Sequence, residues 1–296
     1  MADNIGNKAA KDYHLDVPFM QEGGFFVKGN AYCDYGMKNR LSKIFNPKSG
    51  NTVMFAFDHG YIMGPTAGLE RIDLVVPPLT KYVDVLMGTR GILRSCIPPE
   101  DQVAKCLRVT YDSTVLIDDM SNGGGFACDI ENAIRMNADC MAVQTFIGSE
   151  GESRSLELLS RTADAGTRYG IPTLGVVAVG KQMERTERFF QLATRVLAET
   201  GANIVKSYYC EGFERVASAC PVPIVIAGGK KLPELEALEM AYKAIAEGAH
   251  GVDMGRNIFQ SDCPAGMAAA IAKVVHDGYT VHQAYEVYET IKHDGE

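Results

Sequence analysis

Lys206 stands in the segment Asn203-Ile204-Val205-Lys206-Ser207-Tyr208-Tyr209, which otherwise reads as a buried β-strand. An ammonium is costly to desolvate, so a lysine inside an apolar strand needs either a partner or a task. The task open to it is nucleophilic. Burial favours the neutral amine, and a neutral amine adds to a carbonyl carbon to form an imine. Free lysine, with a pKa of ~10.4, is well under ~0.1% neutral at pH 7, so a site using it this way must lower that value. The competing reading is a structural lysine, paired to a carboxylate or reaching out at the strand end.

Other polar residues fall where apolar runs stop. Ala56-Phe57-Asp58-His59-Gly60 offers Asp58 as an acid/base or orienting carboxylate, or as a loop cap, with His59 a weaker candidate beside it. Ala227-Gly228-Gly229-Lys230-Lys231 and Met254-Gly255-Arg256-Asn257 suit a phosphate. Glycine lets backbone N–H groups approach an anion closely, and Arg256 adds a charged fork. Gln144 and Tyr208 are candidate substrate contacts, and Thr89-Arg90 also closes a run. Asp118 and Asp119 read as loop caps or solvated charges, and Ser121–Gly125 (SNGGG) as a flexible loop. No H-x-x-x-H spacing or acidic cluster suggests a metal.

These residues need elements to hold them. Apolar runs begin near Thr52 (TVMFAF), Val83 (VDVLMG), Thr114 (TVLIDD), Cys140 (CMAVQTFI), Pro172 (PTLGVVAV), Asn203 (NIVKSYY), Pro223 (PIVIAGG) and Gly251 (GVDMG). Continuous apolar runs suit strands buried on both faces, as in parallel sheets. Helical patterns at 152–169, 182–200 and 233–247 precede Gly170, Gly201 and Gly248, where left-handed caps are expected; shorter ones lie at 69–81 and 129–136. Eight β-α units predict a single (β/α)8 TIM barrel, whose chemistry sits at the carboxyl ends of the strands and whose phosphate site follows strands 7 and 8. A doubly wound sheet would want a glycine fingerprint after the first strand, where Asp58-His59 stands instead. Residues 1–50 read as an N-terminal arm with a short helix, plugging the barrel bottom or meeting a neighbour. Residues 51–296 read as the barrel, with an extra C-terminal helix at 281–292.

Of 296 residues, 46% are apolar, enough for a large core, and the net charge of −8 argues against nucleic acid or an anionic membrane as partner. The eight cysteines show no C-x-x-C and no metal framework. No early run has signal-peptide length and none approaches a membrane span, so a reduced, cytoplasmic protein is expected.

The motifs Ala56-Phe57-Asp58-His59-Gly60, Val205-Lys206, Ala227-Gly228-Gly229 and Gly255-Arg256-Asn257 resemble those of the archaeal-type class I aldolases, a group of Schiff-base (β/α)8 enzymes. The similarity runs from about residue 30 to the end and includes GPTAGLERIDLVVPPL, TRGILRSCIPP, CPVPIVIAGGKKLPE and GVDMGRNIFQSD. It implies that Lys206 forms the imine, Asp58 assists proton transfer, and the glycine and Arg256 loops hold phosphate. It also implies a ring-based homo-oligomer, with a decamer among its forms. The branch of the group most similar to this chain cleaves a phosphorylated dione with coenzyme A as co-substrate, giving acetyl-CoA and dihydroxyacetone phosphate, and binds no cofactor. Aldolases of the group are expected to carry a proton-shuttling tyrosine near the end of strand 5. Here Leu174-Gly175-Val176-Val177-Ala178-Val179-Gly180 is wholly apolar, which favours thiolysis over aldol cleavage. An aldolase of phosphosugars, a phosphosugar isomerase using Asp58 and a metabolite-sensing barrel stay open as alternatives.

Overall fold

The computed structural model of the protein describes residues 24–119, 121, 124–178 and 185–295. The first 23 residues of the expected arm, part of the SNGGG segment and the end of the fifth apolar run (Val179-Gly180) lie outside them. Among the described residues the strands are β1 (Thr52–Ala56), β2 (Val85–Thr89), β3 (Ala104–Arg108), β4 (Thr110–Tyr111), β5 (Gly125–Phe126), β6 (Cys140–Thr145), β7 (Thr173–Val177), β8 (Ile204–Tyr208), β9 (Ile224–Ala227) and β10 (Gly251–Met254). β4 and β5 make a small antiparallel pair. The other eight close into a parallel barrel, β10 returning to β1 with Thr52 level with Gly251. This is the (β/α)8 barrel expected from the repeated units.

Alternation along each strand splits the core in two. Val53, Phe55, Leu86, Leu107, Val143, Val205 and Ile226 face outward against the helices. Met54, Val85, Met87, Cys106, Ala142, Val176 and Val225 face inward. The bottom of that inner core is closed by the helix Tyr35–Ile44, which Asp34 caps by accepting from Met37 N at 3.0 Å. Its Met37, Leu41 and Ile44, with Phe45, join the inward-facing cluster. Polar bonds fix the seat: Asn203 Nδ2 donates to Asn30 Oδ1 at 3.0 Å, and Arg40 Nη1 donates to the Gly170 carbonyl at 3.0 Å. The helix thus fills the end of the barrel opposite the carboxyl ends of its strands.

The third strand departs from expectation. It is Ala104–Arg108, and the apolar run at Thr114 is loop, with Leu116 89% exposed. The real strand was hidden by its alternation: Ala104, Cys106 and Arg108 are buried inside, while Lys105 points out and donates to the Asp101 carbonyl at 3.0 Å. The pattern at 69–81 also resolves differently, as a short helix Ile72–Val75 and a 3-10 helix Pro77–Tyr82, because Pro77 and Pro78 lack the N–H donors a continuous helix needs. The helices Glu152–Tyr169, Glu187–Glu199 and Glu234–Ala246 lie where the periodicity predicts them, and Gly170, Gly201 and Gly248 following them take positive φ. The tail helix runs Val281–Asp294.

Candidate active site

β8 points Lys206 into the mouth of the barrel. Its Nζ lies 2.9 Å from Oδ2 of Asp253 on β10 and 3.8 Å from Met87 Sδ on β2, and its side chain is only 12% exposed. Asp253 is fully buried, and neither of its oxygens has a hydrogen-bond partner in good geometry, so the contact is a close ion pair and not a directed bond. Burial pushes the Asp253 carboxyl above the usual range, against the pull of the Lys206 charge.

Asp58, just past β1, is held differently. Arg108 at the end of β3 sends Nε and Nη2 to the same Oδ2, at 2.9 and 2.8 Å, both residues being buried. Burial raises the Asp58 carboxyl, but the charges of Arg108 and Lys206 outweigh it and hold the group below its ordinary value. Arg108 also lies over the Tyr61 ring, 5.3 Å from its centroid, and Tyr61 donates to Asp112 Oδ2 at 2.9 Å and lies 3.1 Å from Gln144 Oε1. Burial keeps the Tyr61 hydroxyl well above its usual pKa, so it stays protonated. His59 is pushed down to about 4, chiefly by burial and against the attraction of Asp58, and is a neutral imidazole at pH 7.

The loops after β9 and β10 form one unit. Asn257 is fully buried; its Nδ2 donates to the Gly228 carbonyl at 2.8 Å and its Oδ1 accepts from Leu232 N at 2.8 Å. Gly229 adopts φ +66°, which admits glycine freely. Arg256 Nε, next in sequence to Gly255, is buried with no hydrogen-bond partner, an unspent donor. A Cβ on Gly255 would sit 2.5 Å from the Ala56 carbonyl oxygen and 2.5 Å from His59 Cε1. Gly255→Ala is therefore expected to push this loop off β1 and to destabilise the fold by ~1–3 kcal/mol, the cost of overpacking. Urea unfolding checks this, and an unchanged midpoint would show that the contact with Ala56 and His59 gives way without cost.

The structure thus gathers Lys206, Asp58, His59 and Arg256 around one mouth, where Lys206 acts on both Asp58 and His59 and Arg256 acts on His59, and Gln144 joins them through Tyr61. Tyr208 lies at its edge: the Arg185 guanidinium stacks 4.3 Å from its ring centroid, and both flank the Cβ position of Gly229. Other candidates fall away from it. Thr89 caps the helix Arg90–Cys96, and the Arg90 charge is felt at Cys128 and Asp129. Asp119 accepts from Ser121 N and Oγ at 2.9 and 2.7 Å, a loop-capping arrangement, one of the two roles read for it. Lys231 pairs with Glu234 at 2.6 Å, and Lys230 is exposed. No group of three or more His, Cys, Asp or Glu side chains that could hold a metal occurs among the described residues, and no helix there is long and apolar enough to cross a membrane.

The sequence pattern of the DeoC/LacD family aldolases matches residues 52–261, from β1 past β10. The chain belongs to this family. A protein of Pasteurella multocida named as an uncharacterized aldolase is 54% identical over 97% of this chain and 99% of its own. A protein of Escherichia coli named 3-hydroxy-5-phosphonooxypentane-2,4-dione thiolase is 53% identical over 97% of this chain and 98% of its own. In fold, this DeoC/LacD barrel is similar to a fructose-bisphosphate aldolase from Slackia heliotrinireducens, with a TM-score of 0.76 at 19% identity, covering 86% of this chain and 90% of that one.

Four residues of this DeoC/LacD-family site escaped the sequence reading. Asp253 carried a signal, a carboxylate inside the apolar strand GVDMG, of the same kind that exposed Lys206. Arg108 was lost with its strand. Tyr61 and Asp112 stand in loops, and nothing in their local pattern says that they meet.

Proposed function

We propose that this enzyme is a Schiff-base thiolase that moves the acetyl group of 3-hydroxy-5-phosphonooxypentane-2,4-dione to coenzyme A, giving acetyl-CoA and dihydroxyacetone phosphate. The observation that carries the reading is Lys206 Nζ, held inside the barrel mouth against Asp253 and sharing that mouth with an Arg256 whose Nε lacks a partner. The relative of that name in Escherichia coli, similar over nearly its whole length, supports the substrate.

Phosphate binding by Arg256 and the Gly228, Gly229 and Gly255 backbones places the adjacent ketone, C4, at Lys206. The amine adds there, water leaves, and an iminium forms. Coenzyme A thiolate adds to the C2 carbonyl. The C2–C3 bond then breaks, its electron pair passing into the iminium to give an enamine and acetyl-CoA. C3 takes up one proton, equal to the one the thiol shed, and water hydrolyses the imine to release dihydroxyacetone phosphate. We assign His59, a neutral imidazole in the same mouth, to carry that proton. Asp58, held anionic by Arg108, serves as a fixed negative charge and hydrogen-bond acceptor for the substrate hydroxyl. β7 is consistent with this division: Thr173–Val177 is buried throughout and supplies no tyrosine for an aldol proton transfer.

The test has two parts. Incubation with the dione should yield acetyl-CoA and dihydroxyacetone phosphate in equal amounts only when coenzyme A is present. Borohydride with dihydroxyacetone phosphate should leave a stable adduct on Lys206, located by peptide mapping. Cleavage without coenzyme A would make this an aldolase, and an unmodified Lys206 would point to an isomerase or a sensing barrel.

A further inference from the structure

We infer that Asp253 is the acid–base partner of Lys206, taking the proton that frees the amine and returning it to the oxygen that leaves as water. The inference rests on the imine reading of Lys206 and names a catalytic group that neither the motifs nor the resemblance supplied.

Three observations carry it. The first is position: Asp253 Oδ2 is 2.9 Å from Lys206 Nζ, the nearest approach of a carboxylate to that amine that the structure records. The second is economy. A buried ion pair repays its desolvation only when its remaining lone pairs are satisfied. Asp58 accepts the Nε–H of Arg108 and lies 2.8 Å from its Nη2, leaving only Nη1 of that guanidinium without a partner, whereas neither oxygen of Asp253 has a well-directed hydrogen bond. A carboxylate kept in this way is a poor stabiliser, and an anion free to accept a proton. The third is vacancy elsewhere in the ring of strands. The residue of β7 level with Lys206 is Val176, so the neighbouring strand offers no proton carrier on that side.

The protons balance. Lys206 starts as R–NH3+ and Asp253 as a carboxylate. Asp253 takes one proton, and the amine adds to the ketone. The carbinolamine nitrogen passes one of its two protons to the oxygen, and Asp253 gives its own to the same oxygen. Water leaves with the C–O electron pair, giving R–NH+=C, and Asp253 is again an anion, now facing the iminium. The charged and titratable groups around Asp253 are Lys206, Asp58 and Arg108, with the thiol of Cys106 feeling its charge. Burial lifts the carboxyl toward the range in which exchange with an amine is less uphill.

The test follows formation of the borohydride-trapped adduct with dihydroxyacetone phosphate against time and pH, using Asp253→Asn and Asp253→Glu. Asp253→Asn is expected to slow adduct formation by ~10²-fold or more and to make its rate respond to added formate. Its affinity for glycerol 3-phosphate, which has the phosphate but no carbonyl, should stay within about twofold, as a proton-transfer role requires. Asp253→Glu should fall between the two. A wild-type rate and pH profile in Asp253→Asn overturns the inference, as does a joint loss of adduct and glycerol 3-phosphate binding, which would make Asp253 structural. Where Asp253→Asn does not fold, Asp253→Glu decides alone: an adduct formed more slowly supports the role, and wild-type behaviour overturns it. If the wild-type enzyme itself forms no adduct, the imine reading fails before Asp253 is at issue.

Discussion

Lys206→Met is expected to lower thiolysis by at least ~10⁴-fold, about 5 kcal/mol of transition-state stabilisation, while the barrel stays folded. The methionine fills the same channel beside Met87 but cannot form the iminium that receives the electrons of the breaking bond. Its effect on stability is more informative than its effect on rate. Asp253 is left buried without its cation, which would cost ~3–5 kcal/mol if it stayed ionised. Burial already raises its carboxyl, and losing Lys206 raises it further, so the group takes up a proton. A carboxyl whose folded value exceeds its unfolded value stabilises at low pH, and that contribution is lost as pH rises through the raised value. Lys206→Met should therefore fall further behind the wild-type protein as denaturation is repeated from acid toward alkaline pH. Lys206→Met with Asp253→Asn should lose that trend. Turnover above ~1% of wild type in the single variant would end the lysine scheme.

Arg108→Met should produce the largest loss of stability, ~3–5 kcal/mol at neutral pH by urea unfolding. The guanidinium is buried, gives its Nε–H to Asp58 with Nη2 2.8 Å from the same carboxylate, and lies over Tyr61. Removing it leaves Asp58 a buried anion with only the more distant help of Lys206. Asp58 is held below its ordinary value in the wild-type protein, so the stability it contributes is present above that value and is lost as pH falls through the depressed one. The gap between variant and wild type should thus be widest near neutrality and narrow in acid. Adding Asp58→Asn should recover part of the loss. A variant within ~1 kcal/mol of wild type would show that Asp58 is solvated or neutral, and would remove it from the charge network.

The residues on which these expectations rest show where a sequence yields its site. Lys206, Gly228, Gly229, Gly255 and Arg256 could be read because each breaks a local rule: a charge in an apolar strand, or paired glycines where an apolar run stops. Asp253 breaks the same rule and was there to be read. Arg108 could not be, because β3 alternates inward and outward residues with two cations among five positions, while the more apolar Val115-Leu116-Ile117 nearby is exposed loop. Hydrophobicity picked the wrong segment, and the end of the third strand was looked for some ten residues too late. Tyr61, Asp112 and Gln144 meet only through the closure of the barrel, a fact of three dimensions that no spacing encodes.

The helix that plugs the barrel bottom also sets an order of events in biosynthesis. Its neighbourhood is anchored at Asp139 by Lys43, at Gly170 by Arg40, at Asn203 by Asn30 and at Ala217 by Lys28. The helix Tyr35–Ile44 and the residues before it from Lys28 therefore have no complete binding surface until Ala217 has been made, more than two-thirds of the way along this sequence. β1 likewise waits for β10, nearly 200 residues later, before its second edge is paired. Such contacts must overcome the closure entropy of very long loops, and transiently exposed apolar faces and unpaired edges are what chaperones recognise. The helix is thus made before every strand of the barrel it closes, and its last anchor comes only with Ala217.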